Sequence, residues 1–176
     1  MSMATEHTVL FSADAIADKV SELAGLVDRD YGDDGLVVVV VMKGAAIFAA
    51  DLVRAMSTEI ELTYLTASSY VDGFAPGESL NLRGELDVAI KGRDVLIVDD
   101  IIDTGRTLNE LSALVAADKP RSVATAALVN KTSRRSPGTE ADYYGFEIGD
   151  EFIYGYGLDW DERYRDLPFI ALANPS

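Results

Sequence analysis

The stretch from Val95 to Leu108, VLIVDDIIDTGRTL, constrains the fold more than any other part of the chain. Val95, Leu96, Ile97 and Val98 make an apolar, mostly β-branched run. It is too short for a helix and suits a parallel strand buried on both faces. The run ends in Asp99 and Asp100, where the carboxyl end of such a strand opens onto a ligand crevice. Asp103-Thr104-Gly105-Arg106-Thr107 follows, and from Leu108 through Leu111, Leu114 and Val115 the apolar spacing is helical. A glycine-containing loop feeding a helix N-terminus is a place for an anion. Its N–H groups lack partners, the macrodipole is positive there, and glycine lets the backbone come close. Thr104 and Thr107 add hydroxyls, and the acid pair can hold sugar hydroxyls, a hydrated Mg²⁺, or both. A phosphate cradle beside a diol or metal site suits a ribose 5-phosphate. An acid pair or a Thr-Gly step alone is equally compatible with a plain buried strand and a capped helix; the whole string is far more specific. It is not a Walker A loop, because no G-x-x-x-x-G-K-[ST] occurs.

The remaining elements fall around this unit. Ser12 is placed to cap a first helix carrying Ile16, Val20, Leu23 and Val27 at helical spacing, and residues 30–35 end it as a turn. Leu36 to Met42, five valines between Leu and Met, predicts a strand buried on both faces. Lys43-Gly44 follows at its carboxyl end, and Ala45 to Met56 predicts a helix with Ile47, Leu52 and Met56 inward. Glu59 to Ala67 alternates like a strand with one wet face. The polar, glycine-containing stretch of about 68–84 reads as a lid, with Leu82 to Ala89 re-entering as a hairpin arm. Pro120 separates the central helix from a strand over Ser122 to Val129 that ends in Asn130-Lys131. Short strands are expected over Tyr143 to Ile148 and Phe169 to Leu172, with an aromatic, glycine-bearing segment between them.

With 176 residues, 48% of them hydrophobic, the chain suffices for one α/β domain, 1–176, with a central, mostly parallel sheet flanked by helices. The absence of cysteine excludes disulfides and thiolate metal sites. MSMATEHTVLF lacks the pattern of a signal peptide, and the longest apolar run is far too short to span a bilayer, so a cytoplasmic protein is expected. Thirty acids against 15 bases give a net charge of −15, which argues against nucleic acid or an anionic membrane as partner. A polyanionic substrate therefore needs local bases or Mg²⁺. His7, the only histidine, lies in an N-terminus expected to be mobile, which leaves acid–base work to carboxylates.

The central string resembles the ribose-phosphate signature of the type I phosphoribosyltransferases. Lys131, the Phe152-Ile153 pair and Gly155-Tyr156-Gly157-Leu158-Asp159 resemble the purine-binding hood of the hypoxanthine–guanine branch. Val41-Met42-Lys43-Gly44, Ala67-Ser68-Ser69-Tyr70 and Tyr164-Arg165-Asp166 fit in the same order, so the likeness runs from about residue 36 to 172. It implies that fold, with a small hood built from the chain ends (about 143–172) over the purine. The implied activity is Mg²⁺-dependent transfer of the phosphoribosyl group of phosphoribosyl pyrophosphate (PRPP) to N9 of hypoxanthine or guanine, giving IMP or GMP and pyrophosphate.

Roles follow as implications of the resemblance. Asp99 and Asp100 bind ribose hydroxyls and Mg²⁺, with Asp159 at a second Mg²⁺. Asp103, Thr104, Gly105, Arg106 and Thr107 hold the 5-phosphate, and Asp103 also acts catalytically at the purine N7. Lys43, Gly44 and Arg165 hold pyrophosphate. Lys131 meets O6, Phe152 stacks on the purine, and the Ile153 carbonyl faces the 2-position. Ser69 and Tyr70 lie on the lid. Relatives imply a homodimer or homotetramer. A phosphoribosyltransferase-fold regulator that binds RNA is disfavoured by the −15 charge, Asp103, Lys131 and Phe152-Ile153. An orotate or adenine enzyme is disfavoured by Lys131 and the C-terminal hood.

Overall fold

The structure, a computed structural model, describes residues 7–32, 35–68, 81–83, 86, 88–133 and 139–173. Ser69 and Tyr70, most of the expected lid, and Arg134 and Arg135 lie outside the described residues. In chain order the elements are β1 (Thr8–Phe11), α1 (Ala13–Tyr31), β2 (Leu36–Met42), α2 (Ala46–Ala55), β3 (Ile60–Ser68) and β4 (Asn81–Arg83). Then come β5 (Asp94–Ile102), α3 (Arg106–Ala117), β6 (Ser122–Lys131), β7 (Tyr143–Ile148), β8 (Ile153–Tyr154) and β9 (Ile170–Leu172).

The larger sheet has the order β4-β3-β2-β5-β6-β7, with β3 to β7 parallel and β4 antiparallel at the edge. The valine run of β2 explains itself here. Leu36, Val38 and Val40 pack in one layer with α1 and α2, while Val37, Val39 and Val41 pack in the other with Leu108, Leu111 and Val115 of α3. β5 divides the same way, Leu96 and Val98 to the first layer, Val95 and Ile97 to the second. A strand covered on both faces has no wet side, so its sequence shows no alternation. In α2 the fully buried residues are Phe48, Ala49 and Leu52; Ile47 and Met56, expected inward, are only partly covered. Ile47 instead flanks the turn at Gly157.

Three expectations are corrected. β5 does not stop at the acids: its ladder with β6 runs on through Asp99–Ala127 to Ile102–Asn130, so both aspartates lie inside the strand. α3 correspondingly starts at Arg106, two residues before the first apolar position. The hood is smaller than 143–172, because β7 pairs with β6 in the large sheet and leaves β8 and β9 with β1 as a separate antiparallel sheet, β1-β9-β8. The third correction concerns the N-terminus. Thr8 and Val9 pair with Leu172 and Ala171, and His7 Nδ1 lies 2.8 Å from the Tyr154 hydroxyl. His7 also packs its ring against Tyr164 and Phe169. A four-residue strand whose partner lies at the far end of the chain has no local signature.

α1 behaves as its sequence asks. Ser12 Oγ accepts from the Ala15 N–H at 3.2 Å, and Asp14 sits in the first turn. Near its other end Asp28 fastens the helix to the start of β3, accepting from the Ser57 and Thr58 N–H groups and from the Thr58 hydroxyl at 2.8–3.0 Å. Burial works to raise the Asp28 pKa, but the bonds from Thr58 and Ser57 outweigh it and hold the carboxyl below its ordinary value. The stabilisation is therefore present above the ordinary carboxylate range and is lost as pH falls through the lowered value. Asp28→Ala should cost about 1–2 kcal/mol at neutral pH, and its stability gap from wild type in urea titrations should close in acid.

Candidate functional site

The strand order places a crevice. From β2 the chain crosses through α2 to β3 on one side, while the parallel strand β5 lies on the other. Connections leaving the two carboxyl ends thus diverge at the β2/β5 boundary, which is where open α/β sheets take ligands. A cavity of about 360 Å³ opens there, with Lys43, Gly44, Asp99, Asp100, Thr107, Asp159 and Arg165 in its wall. A second, of about 90 Å³, is lined by Asp99 and the 101–108 loop, including Asp103, Thr104, Gly105 and Thr107.

Asp99 is 7% exposed, and its Oδ1 accepts the Asp100 N–H at 3.0 Å; Asp100 Oδ1 accepts the Ile101 N–H at 2.9 Å. Burial pushes the Asp99 carboxyl well above its ordinary pKa, and the neighbouring Asp100 charge pushes it further. Burial raises Asp100 as well. Two acids desolvated side by side resist double ionisation, so the pair is poised for a cation or for hydroxyl donors. Gly44 makes room for it: a methyl group at 44 would overlap the Asp100 carboxylate.

The loop before α3 has the backbone form its sequence asks for. Gly105 caps α3 with φ +78°, and a side chain there would collide with Thr139. The left-handed conformation and the close approach both demand glycine. Thr139, buried behind the loop, donates to the Thr104 carbonyl at 3.4 Å. Thr104 is exposed and Thr107 half-buried. The Arg106 side chain turns away to Glu110 at 2.7 Å, leaving its backbone at the helix N-terminus. Asp103 Oδ1 is buried without a hydrogen-bond partner among the described residues.

Across the crevice stands the segment 155–165. Gly157, at φ +98°, packs so closely on the Gly44 carbonyl that a Cβ would overlap it, which seats the hood on the turn after the cis Met42–Lys43 peptide. Arg165 donates to the Gly157 carbonyl at 2.7 Å and pairs with Asp159 at 2.7 Å. Lys43 Nζ donates to Glu162 at 3.0 Å, a bond that holds the Glu162 carboxyl below its ordinary pKa. Asp159 thus reaches the cavity wall already paired, and among the described residues no three acids or imidazoles form a ready metal cluster. Lys131 is buried at the end of β6, Ile153 is buried in β8, and the Phe152 ring is 55% exposed at 70° to Trp160. These three line neither cavity.

Thr139 and Glu162 were not anticipated. Thr139 has no local motif, since it matters only where Gly105 meets it. The signal for Glu162 is its place between Asp159 and Arg165, but acids abound in this chain. Asp99 carries a directional consequence: a carboxyl with a raised folded-state pKa destabilises the fold as pH climbs through that range. In metal-free buffer Asp99→Asn keeps the acceptor for the Asp100 N–H and should raise stability by about 1–2 kcal/mol at neutral pH, a gain that thermal melts should see shrink below the ordinary carboxylate range.

The chain's relatives agree with this geometry. The phosphoribosyl transferase domain family matches residues 8–161. Hypoxanthine-guanine phosphoribosyltransferase of Bacillus subtilis is 39% identical over 168 residues, 96% of this chain and 93% of that protein. The bifunctional protein TilS/HprT of Listeria innocua is 40% identical over 95% of this chain, which spans only 26% of that longer protein. A crystal structure of a Bacillus anthracis hypoxanthine-guanine phosphoribosyltransferase superposes with a TM-score of 0.90 at 39% identity, covering 96% of this chain and all of that one. The chain belongs to the phosphoribosyltransferase family, on its hypoxanthine–guanine branch.

Proposed function

We propose that this protein transfers the 5-phosphoribosyl group of PRPP to N9 of a 6-oxopurine, hypoxanthine or guanine, forming IMP or GMP and pyrophosphate in purine salvage. The observation that carries the reading is the unpaired, buried Asp103 Oδ1 beside a phosphate-sized cradle. A buried acceptor without a partner is costly unless a ligand supplies the donor, and a purine N–H does so.

In this reading the α3 N-terminus, through residues 103–107, holds the 5-phosphate with backbone N–H groups and the Thr104 and Thr107 hydroxyls. Asp99 and Asp100 take the ribose hydroxyls. The donor set also fits Mg²⁺, a hard cation that binds one or two carboxylates and completes its shell with water and substrate phosphates. Asp99 and Asp100 would hold one ion and Asp159 a second, which would supply charge neutralisation at the leaving pyrophosphate. Lys43, the Gly44 backbone and Arg165 clamp that leaving group. Asp103 accepts a hydrogen bond or proton at N7. The Lys131 ammonium donates to O6, which favours 6-oxopurines, because an ammonium cannot accept from the amino group of adenine. Phe152 stacks on the base and the Ile153 carbonyl faces the 2-position. The lid of about 68–84, with Ser69 and Tyr70, and the hood exclude water from the electron-poor sugar carbon. The single domain 1–176 acts in the cytoplasm as a homodimer or homotetramer, an assembly that light scattering checks.

A panel of hypoxanthine, guanine, xanthine and adenine, each with PRPP and Mg²⁺, tests the reading. Nucleotide should form with hypoxanthine or guanine and not with adenine; failure of both hypoxanthine and guanine would overturn it. Asp103→Asn should lower kcat by about 10²–10⁴-fold while PRPP affinity holds. A variant that lost only PRPP affinity would remove Asp103 from the base.

A further inference from the structure

Glu162 belongs to none of the groups assigned above to PRPP or the purine, yet it touches both cations of the clamp. Its Oε2 accepts from Lys43 Nζ at 3.0 Å and lies 3.5 Å from Arg165 Nη2. The backbone delivers it there by an uncommon route. Trp160 and Arg163 exchange both main-chain hydrogen bonds, at 3.1 and 3.2 Å, around a two-residue turn. Asp161 and Glu162 at its centre both have positive φ, 56° and 59°, in the manner of a type I′ turn. Asp161 tolerates positive φ, but Glu162 is not a residue that favours it, so the turn holds Glu162 in a conformation it rarely adopts. The Glu162 N–H is fixed by Asp159 Oδ2 at 2.9 Å, which ties the turn to the cavity wall. Beyond that point the side chain is loose: Glu162 and Lys43 are 68% and 65% exposed.

We propose that Glu162 is an internal counter-anion of the pyrophosphate clamp: its carboxylate holds Lys43 and Arg165, gives them up to the incoming phosphates, and takes them back as pyrophosphate departs. The proposal rests on the reading of Lys43 and Arg165 as that clamp. A carboxylate suits the task because it offers the cations the same kind of oxygen that a phosphate does. An exposed ion pair is weak enough to be exchanged. Glu162 thereby gives Lys43 an acid partner beside the cavity, as Asp159 does for Arg165. The exchange makes anion binding slightly weaker than the cations alone would allow, and eases release.

The test is calorimetric titration of inorganic pyrophosphate with Mg²⁺ into the full-length protein and three variants. Glu162→Gln keeps the size and loses the charge; pyrophosphate should bind about three- to tenfold more tightly, and KM for PRPP should fall in step. Asp161→Asn removes the same charge one residue away, with no bond to either cation, and suits positive φ; its affinity should move by less than about twofold. Unchanged or weaker binding by Glu162→Gln would overturn the proposal, the latter showing a residue that merely orients the cations. Equal tightening by Asp161→Asn would also overturn it, leaving only the general field. Lys43→Ala separates the two levels: it should weaken pyrophosphate binding, and if it does not, the clamp itself falls and the counter-anion with it. If Lys43→Ala weakens binding while Glu162→Gln changes nothing, the clamp stands and the counter-anion alone is refuted.

Discussion

Two adjacent carboxylates near the end of a parallel strand, Asp99 buried and Asp100 half-buried, are the constraint on which the rest of the site depends. Desolvation and mutual repulsion disfavour their charge, so the surrounding backbone must hold them. The β5–β6 ladder continues through Asp99, which keeps both acids in extended geometry rather than in a loop. Gly44 leaves room for the Asp100 carboxylate, and Gly157 lies directly on the Gly44 carbonyl. A chain of contacts thus runs from the acids to the turn after β2 and on to the hood. At two of its points any side chain would intervene, so the hood cannot shift without disturbing the turn that shapes the acid pocket.

How much of this was legible follows from whether the cause was local. The valine run of β2, the strand before Asp99, the capped first helix and the glycine loop before α3 all owe their form to neighbours within a few residues, and their spacing shows it. The N-terminal strand does not. Thr8 and Val9 form it because Leu172 and Ala171 offer an edge more than 160 residues away, and a separation of 147 residues likewise hides the contact between His7 and Tyr154. β7 was expected as a strand, but its six residues carry no mark of whether β6 or the hood receives them, and the expected hood bounds began with it. Near the cavities, the glycine loop and the acid pair could be located from their spacing. Thr139 behind Gly105 and Glu162 between the clamp cations could not, because each matters only through a partner brought near by folding.

Charge poses a second constraint. A surface of net charge −15 repels a substrate carrying several phosphates, and the structure answers it locally. The helix N-terminus of α3 has no acid in its first turn, so its partial positive charge is not cancelled there. Lys43 and Arg165 stand on either side of the crevice from different elements. Even these are shared with acids in the protein, Asp159 and Glu162. Each cation of the cavity wall is thus matched by a carboxylate, so an incoming anion meets paired cations rather than bare ones.

The two ends of the proposed substrate consequently meet different materials. The 5-phosphate end would face mainly backbone: N–H groups of a helix start, ordered by a left-handed glycine wedged against Thr139, with the short Thr104 and Thr107 side chains beside them. Such a cradle cannot adjust by rotating a side chain, and it suits a group that stays put from substrate to nucleotide. The pyrophosphate end would face long side chains, with Lys43 largely in water and Arg165 about a quarter exposed, both already paired. Their hold can be made and broken by rotation about single bonds on a timescale of nanoseconds. Rigidity where position matters and looseness where departure matters follow from one local choice, backbone against side chain.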